Sequence, residues 1–595
     1  HERAQHRERT PDSHQKAREA VSFARDRNFE REAVVDERAL VRDALRRGMG
    51  EINYAQVRSS LAARLASGEF RQIDDARDLP GRRFTTARVI EAEKDVIHRM
   101  QEGKGRTEPL MPPQELAAVS EQHHFLNRAQ RAAIEEVLGS TDRIHGIQGY
   151  AGAGKTTVLS ALRETIEAQD YDVHGLAPTS RAARQLNEAG IPSGTLQGFL
   201  AASSPNAANS TEKHYYFVDE SSLAGTRQMR EFLARLGPGD RVLLIGDTRQ
   251  HQSVEAGRPF EQLQQAGMRA AKLDEIVRQK DPALKSAVEM LARGQSGAAI
   301  IELKQQGRVQ EIAGREERIR AVAHAYAESP ERTLIVSPDN ASRRELNSAV
   351  RKELRADGSV TGQDRPLRVL IQRQDMTGAD RAWANHYETS DVVRYSRGSK
   401  TAGIEAASYA TVTAIDPSQN LLTVQKESGE VITYDPRRLT GVSVYREAMH
   451  DFAVGDRIQF TAPDKSLGVA NRDLAVIESI APDDRIAARL DDNRHIEFNP
   501  AEHRHFDHGY AVTSHSAQGL TSERVLIHAD TSVHPDLLSS RFGYVAVSRT
   551  SHETTIFTDD LNRFGHQLSA EVNKTSALEI SQASSIGIDQ GLGIV

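Results

Sequence analysis

The chain has 595 residues, no cysteine, 38% hydrophobic, 27% charged and 5% aromatic residues, and a formal net charge of −7. That length asks for several domains, and the missing cysteines exclude disulfides and thiolate metal sites, which fits a reducing cytoplasmic compartment. The negative balance excludes reading nucleic-acid affinity from bulk charge, so any phosphate-binding surface has to be local. No apolar run long enough to span a membrane occurs, and the charged stretch His1 to Arg9 lacks the apolar segment of a secretory signal.

Residues 1–20 have no apolar periodicity and read as a polar tail. Over 21–120 the pattern is helical, with stripes at Val34, Val35, Leu40, Val41 and Leu45, then at Val57, Leu61 and Leu65. This predicts a mostly helical N-terminal domain, closed by the Gly- and Pro-rich linker Gly103 to Pro113. Short apolar strands then alternate with helical stretches: Arg143–Gln148, Asp172–Ala177, Tyr215–Asp219, Arg241–Gly246, Thr333–Ser337, Arg524–His528 and Thr554–Thr558. Strands separated by helices predict parallel α/β layers, one over 121–275 and a second over 276–365 plus 501–565. Between them, 366–500 is hairpin-like, with strands at Ala410–Ile415, Leu421–Gln425, Val431–Tyr434, Arg457–Phe460 and Ala475–Ile480, and predicts a small antiparallel β-barrel insertion. Trp383 falls in that insertion and reads as core. The Ser-, Gly- and Ile-rich stretch 566–595 reads as a flexible tail.

Three motifs carry chemistry. Gly149-Tyr-Ala-Gly152-Ala-Gly154-Lys155-Thr156-Thr157 follows a strand and opens a helix, the context in which a glycine-rich turn aims backbone N–H groups at phosphates. Lys155 would reach the β and γ phosphates of ATP, and Thr156 would hold Mg²⁺. In Tyr215-Tyr-Phe-Val-Asp219-Glu220, a buried strand ends in adjacent carboxylates, one for the metal (Asp219) and one to act as general base on water (Glu220). Leu243-Leu-Ile-Gly246-Asp247-Thr-Arg-Gln250-His251 ends another strand with a Gln able to touch the γ-phosphate. His503, His505 and His508 have spacing that could bind a metal, but without a fourth ligand they read as a solvated strand entry.

Asp219-Glu220-Ser-Ser with Gly246-Asp247-Thr-Arg-Gln250 resembles motifs II and III of superfamily 1 helicases of the RecD-like branch. Further blocks follow in that family's order. Leu126-Asn127-Arg-Ala-Gln130 resembles the Q motif, Ala177-Pro-Thr179-Ser-Arg181 motif Ia, and Gly194-Thr195-Leu-Gln-Gly-Phe199 the DNA-contacting block after it. Glu275-Ile-Val-Arg278-Gln279 resembles motif IV, Tyr510-Ala-Val-Thr513-Ser-His515-Ser-Ala-Gln518-Gly519 motif V, and Tyr544-Val-Ala-Val-Ser548-Arg549 motif VI. The resemblance implies two RecA-like domains. It also implies that Gln130 reads adenine, and that Arg278 and Arg549 reach across from the second half to the γ-phosphate. Thr179, Thr195, Phe199, His251, Thr513, His515 and Gln518 would then face single-stranded DNA.

The P-loop block, Glu275 to Gln279, Gly455-Asp-Arg-Ile-Gln-Phe460 and Leu467-Gly-Val-Ala-Asn471 narrow the resemblance to the helicase portion of MobF-type conjugative relaxase-helicases. That implies an ATP-dependent 5′→3′ helicase unwinding plasmid DNA during conjugation. It also implies a covalently linked relaxase domain on a longer protein, contact with the coupling protein and secretion machinery, and passage of that protein to a recipient cell. By the same resemblance 201–214 would be a strand-separating hairpin, and a glycine is expected where Arg472 stands. The competing functions are a vestigial helicase fold that only binds single-stranded DNA, and a RecD-like repair helicase. The intact set of ATP-site residues favours the active motor over the first.

Overall fold

The structure is a computed structural model describing residues 2–73, 81–116, 123–202, 212–570 and 574–578, with side chains from residue 13 onward. Glu2–Phe29 forms one helix, so the stretch expected to be a polar tail is ordered. Its packing face is mostly alanine, which the apolar stripe of larger residues did not reveal: Ala20, Val21 and Ala24 bury against Leu40, Val57, Leu61, Phe70 and Phe84. Helices Glu37–Arg47, Tyr54–Ala66 and Ala87–Glu102 complete the N-terminal unit. So does a three-stranded antiparallel sheet of Val35–Asp36, Arg83–Thr86 and Phe70–Ile73, an element the helical reading missed. Val35 leaves the helical stripe because the Asp36 side chain caps the Arg38 N–H and starts the helix only after it. Helix Ala87–Glu102 docks on the first α/β unit, with Val96 and Met100 packed among Met229 and Phe232 and Asp95 paired to Arg230 at 3.0 Å.

The first α/β sheet has six parallel strands in the order Ser193–Thr195, Asp172–Ala177, His214–Val218, Arg241–Gly246, Ile144–Gly149 and Ala270–Leu273. The second has five, again all parallel: Val309–Glu311, Thr550–Thr558, Ser522–Ala529, Thr333–Ser337 and Ala511–Thr513. Central strands such as Arg241–Gly246 and Thr333–Ser337 are buried along their whole length because helices cover both faces. The catalytic motifs therefore emerge together at the C-terminal ends of the strands.

The insertion opens at Thr361 and closes at His508, wider than 366–500, and comprises two antiparallel sheets. Six strands run in the order Thr361–Gln372, Val442–Val454, Val392–Tyr395, Ser408–Asp416, Leu421–Lys426 and Val431–Tyr434. Five more follow as His495–Phe498, Ile486–Leu490, Leu474–Ile480, Arg457–Phe460 and Phe506–His508. Trp383 is not core. Its ring is partly exposed between the guanidinium of Arg47, 3.9 Å from its centroid, and that of Arg437 at 5.3 Å. It stitches the insertion to the N-terminal unit by cation–π contact. Within the expected hairpin 201–214, residues 203–211 lie outside the described residues. The expected flexible tail is partly structured: Leu561–Leu568 is a helix, and 574–578 docks back onto the N-terminal unit. There Lys574 Nζ donates to the carbonyls of Arg31 and Glu255, both at 2.6 Å. Among the described residues no helix is long and apolar enough to cross a membrane.

Candidate nucleotide and nucleic-acid site

Strand Ile144–Gly149 turns at Gly152 (φ 78°) and Gly154 (φ 75°) into helix Lys155–Glu167. A Cβ at Gly152 would come within 2.6 Å of Arg278 Cβ, and one at Gly154 within 2.4 Å of Gln130 Nε2. Glycine is thus required both for the left-handed backbone and for close approach. Lys155 Nζ folds back to the carbonyls of Gly149 (2.9 Å) and Tyr150 (3.2 Å). Burial pulls its ammonium below the usual lysine range. Thr156 lines the cleft ahead, whereas Thr157 is exposed in the first helical turn and does not.

Gln130 sits beside the P-loop. Its Oε1 accepts the Asn127 N–H (3.0 Å) and its Nε2 donates to Ala153 O (3.0 Å), so the amide caps its own helix and braces the P-loop. Each of the two atoms keeps a second hydrogen-bonding position.

Across the cleft, Asp219 and Glu220 end strand His214–Val218. Glu220 takes a left-handed backbone (φ 49°) that a non-glycine residue adopts at a cost of about 1–3 kcal/mol, and strain of this kind gathers at functional sites. Burial, then the neighbouring Asp219 charge, pushes its carboxyl up to about 7. Burial likewise raises Asp219, opposed by Lys155. Gln250 donates to Asp247 Oδ2 at 3.1 Å.

Arg278 and Arg549 reach this cleft, which has a volume of about 470 Å³. Arg278 lies on the segment between the two sheets, which packs on the second half through Ile276 and Gln279, and its Nη1 donates to Ser548 O at 2.8 Å. Burial, then Arg549, brings it down to about 9. Arg549 is almost fully buried, its Nε on Val545 O at 3.0 Å. One residue here escaped the sequence reading. Tyr544 OH accepts the Ala151 N–H of the P-loop (2.7 Å) and donates to Asp247 Oδ2 (2.8 Å), so a single hydroxyl of the second half joins two ATP motifs of the first. Its place in the motif VI block was the available signal.

The donor set fits a nucleoside triphosphate and a divalent cation. The glycine turn leaves a cradle that no Cβ could share, three cations (Lys155, Arg278, Arg549) converge on it, and the Thr156 hydroxyl and Asp219 carboxylate stand in the same cleft.

The residues expected to face DNA divide. The Thr179, Thr195 and Thr513 hydroxyls cap helices at the C-terminal ends of their strands, accepting the N–H of Ala182, Gly198 and Ser516. Thr179 Oγ1 also donates to Glu220 at 3.4 Å. His251 and His515 stack on each other between the halves. Phe199 is partly exposed and packs edge-on against Tyr216 and Phe232. Gln518 is buried and lines the nucleotide cleft beside Gly519. The three insertion histidines go to separate partners, His503 to Asp464, His505 to Tyr409 and His508 to Asp451 O.

Residues 125–314 match a family described as an AAA domain, and residues 508–556 match the UvrD-like helicase C-terminal domain. The first match takes in the parallel sheet that carries the P-loop, and the second takes in the segment that carries Tyr544 and Arg549. The chain is similar in sequence to conjugation proteins. It is 26% identical over 597 residues to the multifunctional conjugation protein TraI of Escherichia coli K12, covering 89% of this chain and 32% of that protein. It is 26% identical over 486 residues to the conjugal transfer protein TraA of Agrobacterium fabrum, covering 80% and 36%. The ATP-dependent RecD2 DNA helicase of Deinococcus radiodurans is 32% identical over 200 residues, 32% of this chain and 28% of its own. The chain thus spans about a third of the length of these relatives. A Pif1 helicase structure aligns over 78% of this chain and 98% of its own, with a TM-score of 0.41 and 16% identity.

Proposed function

We propose that this chain is the motor of a conjugation protein, an ATP-dependent DNA helicase that moves 5′→3′ along single-stranded DNA and unwinds plasmid DNA during transfer. The observation that carries this reading is the Tyr544 hydroxyl, which ties motif VI of one half to the P-loop and Asp247 of the other. Such a bond makes the nucleotide cleft sensitive to the relative position of the halves. The similarity to TraI over 89% of the chain supplies the conjugative context.

In this reading Lys155, Arg278 and Arg549 gather the phosphate charge of ATP, with both arginines stabilising the charge that develops as the terminal P–O bond breaks. Glu220 takes the proton of the attacking water, and ADP and inorganic phosphate leave. Thr156 and Asp219 hold Mg²⁺, which when bound neutralises the phosphates. Thr179, Thr195 and Thr513 place helix N-termini and hydroxyls along one edge of both sheets, which suits sequence-blind contact with DNA phosphates. A linked relaxase domain and docking to the coupling protein belong to the same proposal.

The test is unwinding of a duplex with either a 5′ or a 3′ single-stranded tail, with ATP and Mg²⁺, against Lys155→Ala. Opening of the 5′-tailed duplex alone, lost in the variant, is expected. Tight single-strand binding without unwinding of either duplex overturns the motor reading and leaves a binding fold.

A further inference from the structure

The turn Leu467 to Asp473 of the insertion ends in Arg472, whose φ is 74°. A glycine would take that conformation freely, and an arginine takes it under strain. Nothing within the turn asks for the side chain. The Arg472 N–H donates to Phe460 O (2.7 Å) and its carbonyl accepts from Arg181 Nη2 (2.6 Å), bonds that a glycine backbone would make equally well. Asp473 holds the turn onto the same helix of the first half through Arg184 at 2.7 Å. What arginine alone adds is a guanidinium, and its Nη1 donates to His515 O at 2.8 Å. His515 belongs to motif V of the second half, and its ring stacks at 3.8 Å on His251 of the first.

The insertion is covalently part of the second half and packs on it through pairs such as Arg343–Asp507 and Arg351–Asp456, is docked on the first half at Arg181 and Arg184, and reaches His515 of the motif V loop through the Arg472 side chain. We propose that Arg472 is a positioning residue that couples the inserted β module to the motif V loop, setting that loop's grip on single-stranded DNA while the two halves move. The Arg181–Arg472–His515 chain of bonds runs from first half to insertion to motif V without passing through the nucleotide cleft. Arg472 acts here through His515. It fixes the backbone of His515, so losing it loosens the DNA side of the site before the ATP side. The proposal rests on the helicase reading above.

The test is DNA-stimulated ATP hydrolysis by the chain with an oligothymidylate, comparing wild type with Arg472→Gly and Arg472→Lys. For the glycine variant the apparent KM for DNA is expected to rise about tenfold, the size expected for one charge-assisted hydrogen bond. The kcat at saturating DNA holds within about twofold, and Tm stays equal or rises because the strained backbone is relieved. The lysine variant, keeping the charge and the strain, falls between. A merely structural role would lower Tm and kcat together, and that result, or an unchanged KM, overturns the proposal. Wild-type protein that hydrolyses ATP with no response to DNA would overturn the helicase reading first, and this inference with it.

Discussion

The imidazoles of His251 and His515 lie face to face, centroids 3.8 Å apart and planes 10° from parallel, although they come from opposite α/β halves. A proton on either ring would place charge in a poorly hydrated stack. Burial, then His515, holds His251 well below the usual histidine range, and burial with the Arg472 charge brings His515 to about 4. His515 keeps an exposed edge, which makes His251 the more strongly held of the pair.

The unfolded chain takes up these protons near pH 6.5, about the free-histidine value, and the folded chain takes up that of His515 only at about 4 and that of His251 well below the usual range. Between those limits the unfolded state binds more protons, so stability is full above about pH 6.5 and falls as pH drops toward 4. His251→Phe keeps a stacking ring without a proton site. It is expected to flatten the fall of Tm between pH 6.5 and 4.5, and an unchanged slope would refute a role for this pair.

Glu220 should set the acid limb of ATP hydrolysis. With its carboxyl raised to about 7, the base form exists only above that pH, so log kcat/KM for ATP is expected to fall with unit slope below about pH 7. Glu220→Gln should lose roughly three orders of magnitude in kcat and the acid limb with it, since removing a single essential catalytic group costs on this scale. A limb that persists in the variant would assign it to another group.

Tyr544→Phe deletes one hydroxyl and leaves the ring in its buried place. The Ala151 N–H and Asp247 then lose their shared partner, a cost of about 1–3 kcal/mol for buried groups. The expected result is roughly a tenfold or greater fall in kcat/KM for ATP with single-strand binding retained. Wild-type kinetics would show that the bridge is dispensable.

The segment 574–578 makes the carboxyl of Glu93 tolerable in its buried site. Burial raises that carboxyl, and Ser576 Oγ (3.0 Å) and the N–H groups of Ala577 (3.3 Å) and Leu578 (3.1 Å) donate to it. Ending the chain at Ala570 should therefore cost about 1–3 kcal/mol, read as a lower Tm. In the shortened chain Glu93→Leu is expected to recover part of the loss, and no change of Tm on truncation would sink the idea.

The sequence by itself determined the local parts of the machine. Strands Arg241–Gly246 and Thr333–Ser337 were legible to the residue because strands covered on both faces read as near-continuous apolar runs. Lys155, Thr156, Asp219 and Glu220 were legible because each sits at a strand end or turn whose chemistry is fixed within a few residues. Only the tertiary structure decided what depends on distant partners. Tyr544 meets Asp247 across 297 positions, and Arg181 meets Arg472 across 291. The bond of Gln130 to Ala153 and the edge-on packing of Phe199 against Tyr216 and Phe232 likewise came only with the fold. A helix faced with alanine and a tail held by three backbone and hydroxyl donors carry no apolar period. Their order comes from surfaces elsewhere in the chain, which no local pattern can report.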